Sequence, residues 1–400
     1  MVSALSSMTF TRQIAAPPAE VYRAFTNSVA LKEWFSDGAY VEAQQGGAIY
    51  VWWHGGYLTR GSYTRLDPSK HVAFTWDGTG EPEPTAVSVV LEGKGSGTYV
   101  TLTHEKLSSG AEWEKIREEV YKGWTVGLEN LQSVLETGDD LRFTRRPMLG
   151  IVGGDEITPE KAAELGIPVS TGVRLDGTVD GMGARAAGLD KDDVLVGMGG
   201  KPVTSWQSLI ATLNNYQAGD QVEIVFYRGT ERMSATMDLS KRPLPSVPTD
   251  PRTLAEMLQK LYEKSNIELE KALDGVSDTK ASHHPAQDEW SVKEVLAHLI
   301  SLERDTQRWI ASLLSDHEDS VFADNVDVRL KAMVAVFGSV PALVDEFKRA
   351  QAETTAMIAT LPSEFAARKG GYVKVGRTVL EDFHVLEHVK QIRAAVQSAG

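Results

Sequence analysis

Two histidines, His384 and His388, stand four residues apart in the stretch HVLEHVKQIR. On a helix that spacing is one turn plus about 40°, so both imidazoles reach toward one point on one face, a stripe that Gln391 and Ala395 continue. A third, His298, lies between Val295 and Leu302 on a face that also carries Trp309, and is expected to point inward. Three imidazoles with an open fourth position suit zinc, nickel or ferrous iron. Such an ion either acidifies a water or deprotonates a small-molecule thiol for attack on an electrophile. Asp305, seven residues after His298 and back on the same face, is the candidate to orient a ligand or add one; a charged residue at a helix exit is the plainer alternative. For the histidines the plainer alternative is a polar bundle core without metal. The string His384 to His388 matches the His-x-x-Glu-His signature of metalloproteases only superficially, because a downstream glutamate ligand would have to follow in the short remainder. His283, His284 and His317 read as loop residues, and His54 as structural or surface.

Composition narrows the setting. The 400 residues predict two to three domains, and 42% hydrophobic with 24% charged residues is globular usage. The absence of cysteine excludes disulfides, thiolate nucleophiles and Cys-type metal sites. A net charge of −14, with no basic segment, argues against nucleic acid or an anionic membrane as a partner. No apolar run is long enough for a membrane span, and the start MVSALSSMTFTRQ lacks a secretory pattern, so a cytoplasmic location is expected.

Residues 137–148 and 240–252 read as linkers, the second carrying four prolines. They divide the chain into 1–142, 143–245 and 250–400, a multidomain α+β architecture. In the first segment PPAEVYRAFTN predicts a helix, WWHGGYLTRGSYTRL to TYVTLTHEKL predicts meander strands, and Ile116, Val120, Trp124, Leu128, Leu131 and Leu135 define one face of a long helix. With APPAEVYRAFTNSVALKEWF, Gly46-Gly47, LDPSKHVAFTW and KGWTVGLENLQSVLE, the segment resembles the START-like (SRPBCC) helix-grip superfamily, specifically the activator of heat-shock-protein-90 ATPase family. The resemblance implies a curved sheet gripping the long helix, with a cavity for a hydrophobic small molecule. Trp34, Trp52, Trp76 and Trp124 are candidates to line it, although aromatics equally fill a core.

The middle segment has a capped helix, with Thr158 as N-cap, Pro159 at the first position and Gly166 beyond the end. Leu149-Gly150-Ile151, the AxAAGL at 184–189, DDVLVGMGGKPV and a helix near Trp206 to Asn214 make it resemble a PDZ domain of the bacterial HtrA protease type. That implies a β-barrel-like domain that binds a peptide or protein C-terminus by strand addition. By the resemblance, amides near Leu149, Gly150 and Ile151 hold the terminal carboxylate, and Leu209 and Leu213 shape the apolar pocket; a PDZ docked on its own chain as a spacer is the alternative. No protease triad accompanies it.

From Asp250 the chain reads as four long helices, DPRTLAEMLQKLYEKSNIELEKAL, SVKEVLAHLISLERDTQRWIASLL, SVPALVDEFKRAQAETTAMIATL and GRTVLEDFHVLEHVKQIRAAVQ, hence an all-α four-helix bundle. Ser291 with Glu294 forms a capping box that sets the register of the second. The EWSVKEVLAHL start and the HVLEHVKQIR histidine pair resemble the DinB-like family, whose resemblance implies a divalent metal on His298, His384 and His388. Family members include thiol S-transferases and a thiol-dependent isomerase. The expected function is a metal-dependent hydrolase or thiol S-transferase; the alternative is a ligand- and peptide-binding adaptor or chaperone-associated stress protein with a structural metal.

Overall fold

Strict alternation builds the first sheet. In HVAFTWDG, Val72, Phe74 and Trp76 point to one side and are buried, as do Val87, Val89 and Leu91, then Val100, Leu102 and His104 on the next two strands. The computed structural model describes residues 5–317, 326–381 and 383–398, except the side chains of 5, 326, 383 and 384. The chain opens β1 (Leu5–Ile14), α1 (Pro18–Thr26), α2 (Ser28–Trp34), β2 (Gly38–Val41) and β3 (Ala48–Trp52). It continues β4 (Leu58–Asp67), β5 (His71–Gly78), β6 (Thr85–Lys94), β7 (Gly97–Ser108) and α3 (Glu114–Thr137). The seven strands form one antiparallel sheet in the order β1-β7-β6-β5-β4-β3-β2. Trp124, Leu128, Leu131 and Val134 of α3 close its buried face. The helix stops at Gly138, whose φ of +82° suits glycine, and a Cβ there would come within 2.7 Å of the Lys369 carbonyl.

The next stretch is made of short elements: α4 (Leu141–Thr144), β8 (Pro147–Met148), β9 (Ile151–Val152), α5 (Pro159–Leu165), β10 (Val173–Arg174) and β11 (Gly177–Thr178). After them come α6 (Gly183–Ala186), β12 (Val194–Met198), β13 (Lys201–Pro202), α7 (Trp206–Leu213), β14 (Gln221–Arg228), β15 (Glu231–Asp238) and β16 (Ser240–Lys241). Here β12, β14 and β15 carry the main sheet, while β8 and β16, the entering and leaving strands, pair with each other. Thr158 caps α5 and Gly166 ends it with φ +65°, as the sequence predicts.

The remainder is helical: α8 (Pro251–Leu273), α9 (Asp278–Ala281), α10 (Val292–Leu314), α11 (Val326–Phe337) and α12 (Val340–Ala359), then α13 (Ser363–Ala367), α14 (Lys369–Val379) and α15 (Phe383–Ser398). Four of these pack in a ring, α10 on α12, α12 on α8, α8 on α15 and α15 on α10. The Ser291–Glu294 capping box forms as expected. The fourth expected helix is corrected: Gly376 to Val379 end α14, and a separate helix starts at Phe383. Gly376 serves the packing of α14, because a Cβ there would lie 2.4 Å from Val247 Cγ1. Val247, in the expected second linker, thus packs against the helical core.

The chain divides into two compact units, Met1–Asp139 with Pro245–Gly400, and Asp140–Leu244. The first and last expected segments share a unit because Val29 of α2 enters a buried cluster with Leu254, Leu258, Phe365 and Val375. Asp316, just past α10, also accepts from Arg23 and Arg368.

Candidate functional site

The bundle brings two of the three expected metal ligands together. His298 projects from α10 and His388 from α15, with ring centroids 4.9 Å apart and planes inclined by 64°. Two imidazoles on one tetrahedral ion, with metal–nitrogen bonds of about 2 Å, have centroids about 5 Å apart, so the donor set fits a metal by type and spacing. His388 Nδ1 lies 2.8 Å from Gln391 Oε1, a carbonyl oxygen that only accepts. Nδ1 therefore carries the proton and donates, which places the ring's lone pair on Nε2. On the other side Trp290 packs against His298 at 4.9 Å between centroids. The His384 side chain lies outside the described residues; its backbone falls in the first turn of α15. Among the described residues, no group of three His, Asp or Glu side chains is close enough to hold a metal.

Asp305 is engaged elsewhere. Both its oxygens accept from Arg329 Nη1 of α11, at 2.9 and 2.8 Å. A buried acid that the sequence reading passed over is Glu303, whose Oε2 accepts from Tyr262 Oη at 2.9 Å and Thr354 Oγ1 at 2.8 Å. Burial raises its pKa, and those two donors oppose the rise. His284 pairs with Glu294 at 3.4 Å, while His283 and His317 are exposed.

Trp34 of α2, Trp76 of β5 and Trp124 of α3 are buried together in the core between the N-terminal sheet and its helices. Each indole N–H is used: Trp34 donates to Ala24 O, Trp76 to Tyr57 Oη and Glu81, and Trp124 to His104 Nδ1. Trp52 is corrected from cavity lining to the outer face. It is 43% exposed because β3 turns Ile49 and Val51 inward and its even-numbered neighbours outward, so its ring lies over Gly38. His54 is exposed.

In the second unit, Leu149 is buried and Gly150 has φ +77°, with its carbonyl accepting from Val179 N. Ile151 starts β9, which pairs with β11 on one edge. Leu209 is buried in the domain core and Leu213 packs against that core half-buried, both on α7. Trp206, at the start of α7, donates its indole N–H to Gly154 O at 3.1 Å and so ties the helix to the segment after β9.

Comparison with known proteins matches each segment to a family. Residues 15–136 match the Activator of Hsp90 ATPase homolog 1-like family, 160–239 the PDZ domain and 261–389 the DinB superfamily. The Serine protease Do-like HtrA of Lactococcus lactis subsp. cremoris is 31% identical over 116 residues, covering 28% of this chain and 28% of the protease. The chain thus spans little more than a quarter of that relative's length. A solved Aha1 dimer from Colwellia psychrerythraea is 26% identical, covering 33% of this chain and 96% of that one, with a TM-score of 0.29. An HSP90 activator from Plasmodium falciparum is 24% identical, covering 32% and 95%, also at 0.29. No helix among the described residues is long and apolar enough to cross a membrane.

Proposed function

We propose, for a chain that joins an Activator-of-Hsp90-ATPase-like domain, a PDZ domain and a DinB-superfamily bundle, that the bundle holds one divalent metal on His298, His384 and His388. The observation that carries this is the approach of His298 and His388 from different helices, with Gln391 on the outer nitrogen of one. Zinc or nickel is the first choice and iron the third. When bound, such an ion supplies Lewis acidity that lowers the pKa of a water or thiol, and the reaction class is metal-dependent hydrolysis or thiol S-transfer. The chain's own residues orient and enclose: Gln391 fixes the His388 tautomer, and Trp290 covers one side of His298. The PDZ takes a peptide or protein C-terminus at Leu149, Gly150 and Ile151, with Leu209 and Leu213 as pocket walls, and the N-terminal domain receives a hydrophobic small molecule. A peptide array tests the PDZ part, and no saturable binder would end it.

The experiment is metal content by plasma mass spectrometry on untagged protein. About one equivalent is expected in the parent and none in His298→Ala or His384→Ala. A parent that stays metal-free after loading refutes the site. Gln391→Leu should keep the fold and weaken metal binding about 10–100-fold, the usual effect of losing an orienting partner, while Gln391→Glu, which also accepts from Nδ1, should restore it. Equal affinity in Gln391→Leu would mean that the amide does not position the ligand.

A second reading, a ligand- and peptide-binding adaptor or chaperone-associated stress protein with a structural metal, is favoured by one observation. The acids of α10 flanking His298 are committed elsewhere: Glu294 to its cap, Glu303 to Tyr262 and Thr354, Asp305 to Arg329. His384→Ala separates the two readings. A structural metal predicts lost stability, and a reactive one predicts a folded protein without turnover.

A further inference from the structure

Within the first unit a cavity of about 220 Å³ lies between α1–α2 and the junction of α13 with α14. Its charged lining is Glu20, Arg23, Glu33, Arg368 and Lys369, and the rest is small and apolar. Glu33 is 9% exposed, and among the described residues its carboxylate is approached by a cation without a short hydrogen bond. Its nearest cation, Arg23 Nη1, is 3.8 Å away, beyond hydrogen-bond reach. Gly370 and Gly371 make room for this carboxylate at the start of α14, since Cβ atoms there would come 2.8 and 3.2 Å from its oxygens. Arg23 spends Nε and Nη2 on Asp316, leaving Nη1 turned toward Glu33. Arg368 binds the same aspartate through Nη1, at 3.1 Å to each oxygen.

An acceptor and donors therefore face one partly open space side by side. The Glu33 carboxylate opens on this space with only Arg23 near it, so water or a solute with its own donor can complete its hydrogen bonding. A purely cationic solute would meet Arg23, Arg368 and Lys369, and a purely anionic one would meet Glu33 and Glu20. A molecule carrying both charges on one carbon, with nitrogen and oxygen roughly 3 Å apart by ordinary bond lengths, complements both. Since an apolar cavity of about 150 Å³ holds benzene, this space admits about nine non-hydrogen atoms, the size of a small amino acid. We propose that this cavity binds a small zwitterion of the α-amino-acid class, its ammonium on Glu33 and its carboxylate on Arg23 and Arg368. The site is separate from the histidines and stands whatever becomes of the metal.

The test uses the full chain, calorimetry and thermal melting, and a panel of free proteinogenic amino acids. At least one small member should bind and raise the Tm. The amine lacking its carboxylate and the acid lacking its ammonium should each bind at least about tenfold more weakly, and Glu33→Gln should weaken binding by a similar factor. Ala367→Trp, which fills the space from an exposed position and leaves every charged residue in place, should fold normally and lose the response. No binder in the panel, equal binding of the amine alone, or unchanged binding in Ala367→Trp would each overturn the proposal.

Discussion

Replacing Arg228 by alanine should destabilise the second unit by about 3 kcal/mol, the low end of what breaking a buried pair costs. Asp193 has no exposed surface, and its carboxylate is held by the fork of Arg228, Nε to Oδ1 at 2.8 Å and Nη2 to Oδ2 at 2.7 Å. Beyond that fork the side chain accepts, among the described residues, only from the Asp190 amide at 2.8 Å. Without Arg228 a carboxylate between β12 and β14 keeps its burial and loses its counter-charge, and repacking cannot hydrate it fully. The low end applies because Arg228 is itself half in water, so some solvent can follow its removal. Arg228 Nη2 also donates to Gly188 O, tying the turn after α6 to the same point. Arg228→Lys keeps the charge but not the paired geometry and should fall between. Hydrogen exchange at β12 and β14 amides in the full chain reads the loss directly; unchanged protection in Arg228→Ala would show that the pair contributes nothing net.

What the sequence made legible follows from how local each signal is. Caps are local, and Thr158 and Ser291 mark their helices where the residues stand. Helical spacing is local too, so the buried face of α3 could be read through Trp124, Leu128 and Leu131, although Val134 is buried at its end and the expected Leu135 only half so. The pairing of His298 with His388 needed family resemblance, because no pattern within either helix says which faces meet. Asp305 illustrates the limit: its partner Arg329 sits on α11, a helix the four-segment reading did not contain. The break between α14 and α15 was missed because GRTVLEDFHVLEH carries neither proline nor glycine after Gly376 to mark it, and Gly376 itself stays inside α14, packed on Val247. Trp52 is the last residue of β3 and Trp53 lies just beyond it, and only the register of β3 with Gly38 decides which way Trp52 turns. Glu33 carried no signal at all. It is one carboxylate in an amphipathic helix, and its burial comes from a glycine pair more than three hundred residues away.

His104 was legible and went unread: it continues the inward alternation of Val100 and Leu102 on β7, a polar ring at a core position. Its two nitrogens are both used. Trp124 Nε1, which can only donate, lies 3.0 Å from Nδ1, so Nδ1 is the acceptor and Nε2 carries the proton toward Thr85 Oγ1 at 2.7 Å. Thr85 in turn donates to Trp76 O at 3.2 Å. A second ring proton would have to sit on Nδ1, facing the indole N–H inside the core, and burial brings the ring's pKa down to about 4. The unfolded chain titrates near 6.5, so between about pH 6.5 and 4 it binds one more proton than the folded chain. Stability from this residue is therefore complete above pH 6.5, declines as pH falls through that window, and levels off below about 4, a total of about 3 kcal/mol. His104→Gln removes the titration while leaving a side chain that can donate and accept. Urea unfolding of the two proteins from pH 7 to 4 should show the parent losing about 3 kcal/mol more than the variant, since every other titrating group cancels in the comparison. Parallel pH profiles would mean that the folded chain protonates His104 as readily as the unfolded one, which requires Nδ1 to leave the Trp124 indole N–H that it accepts from.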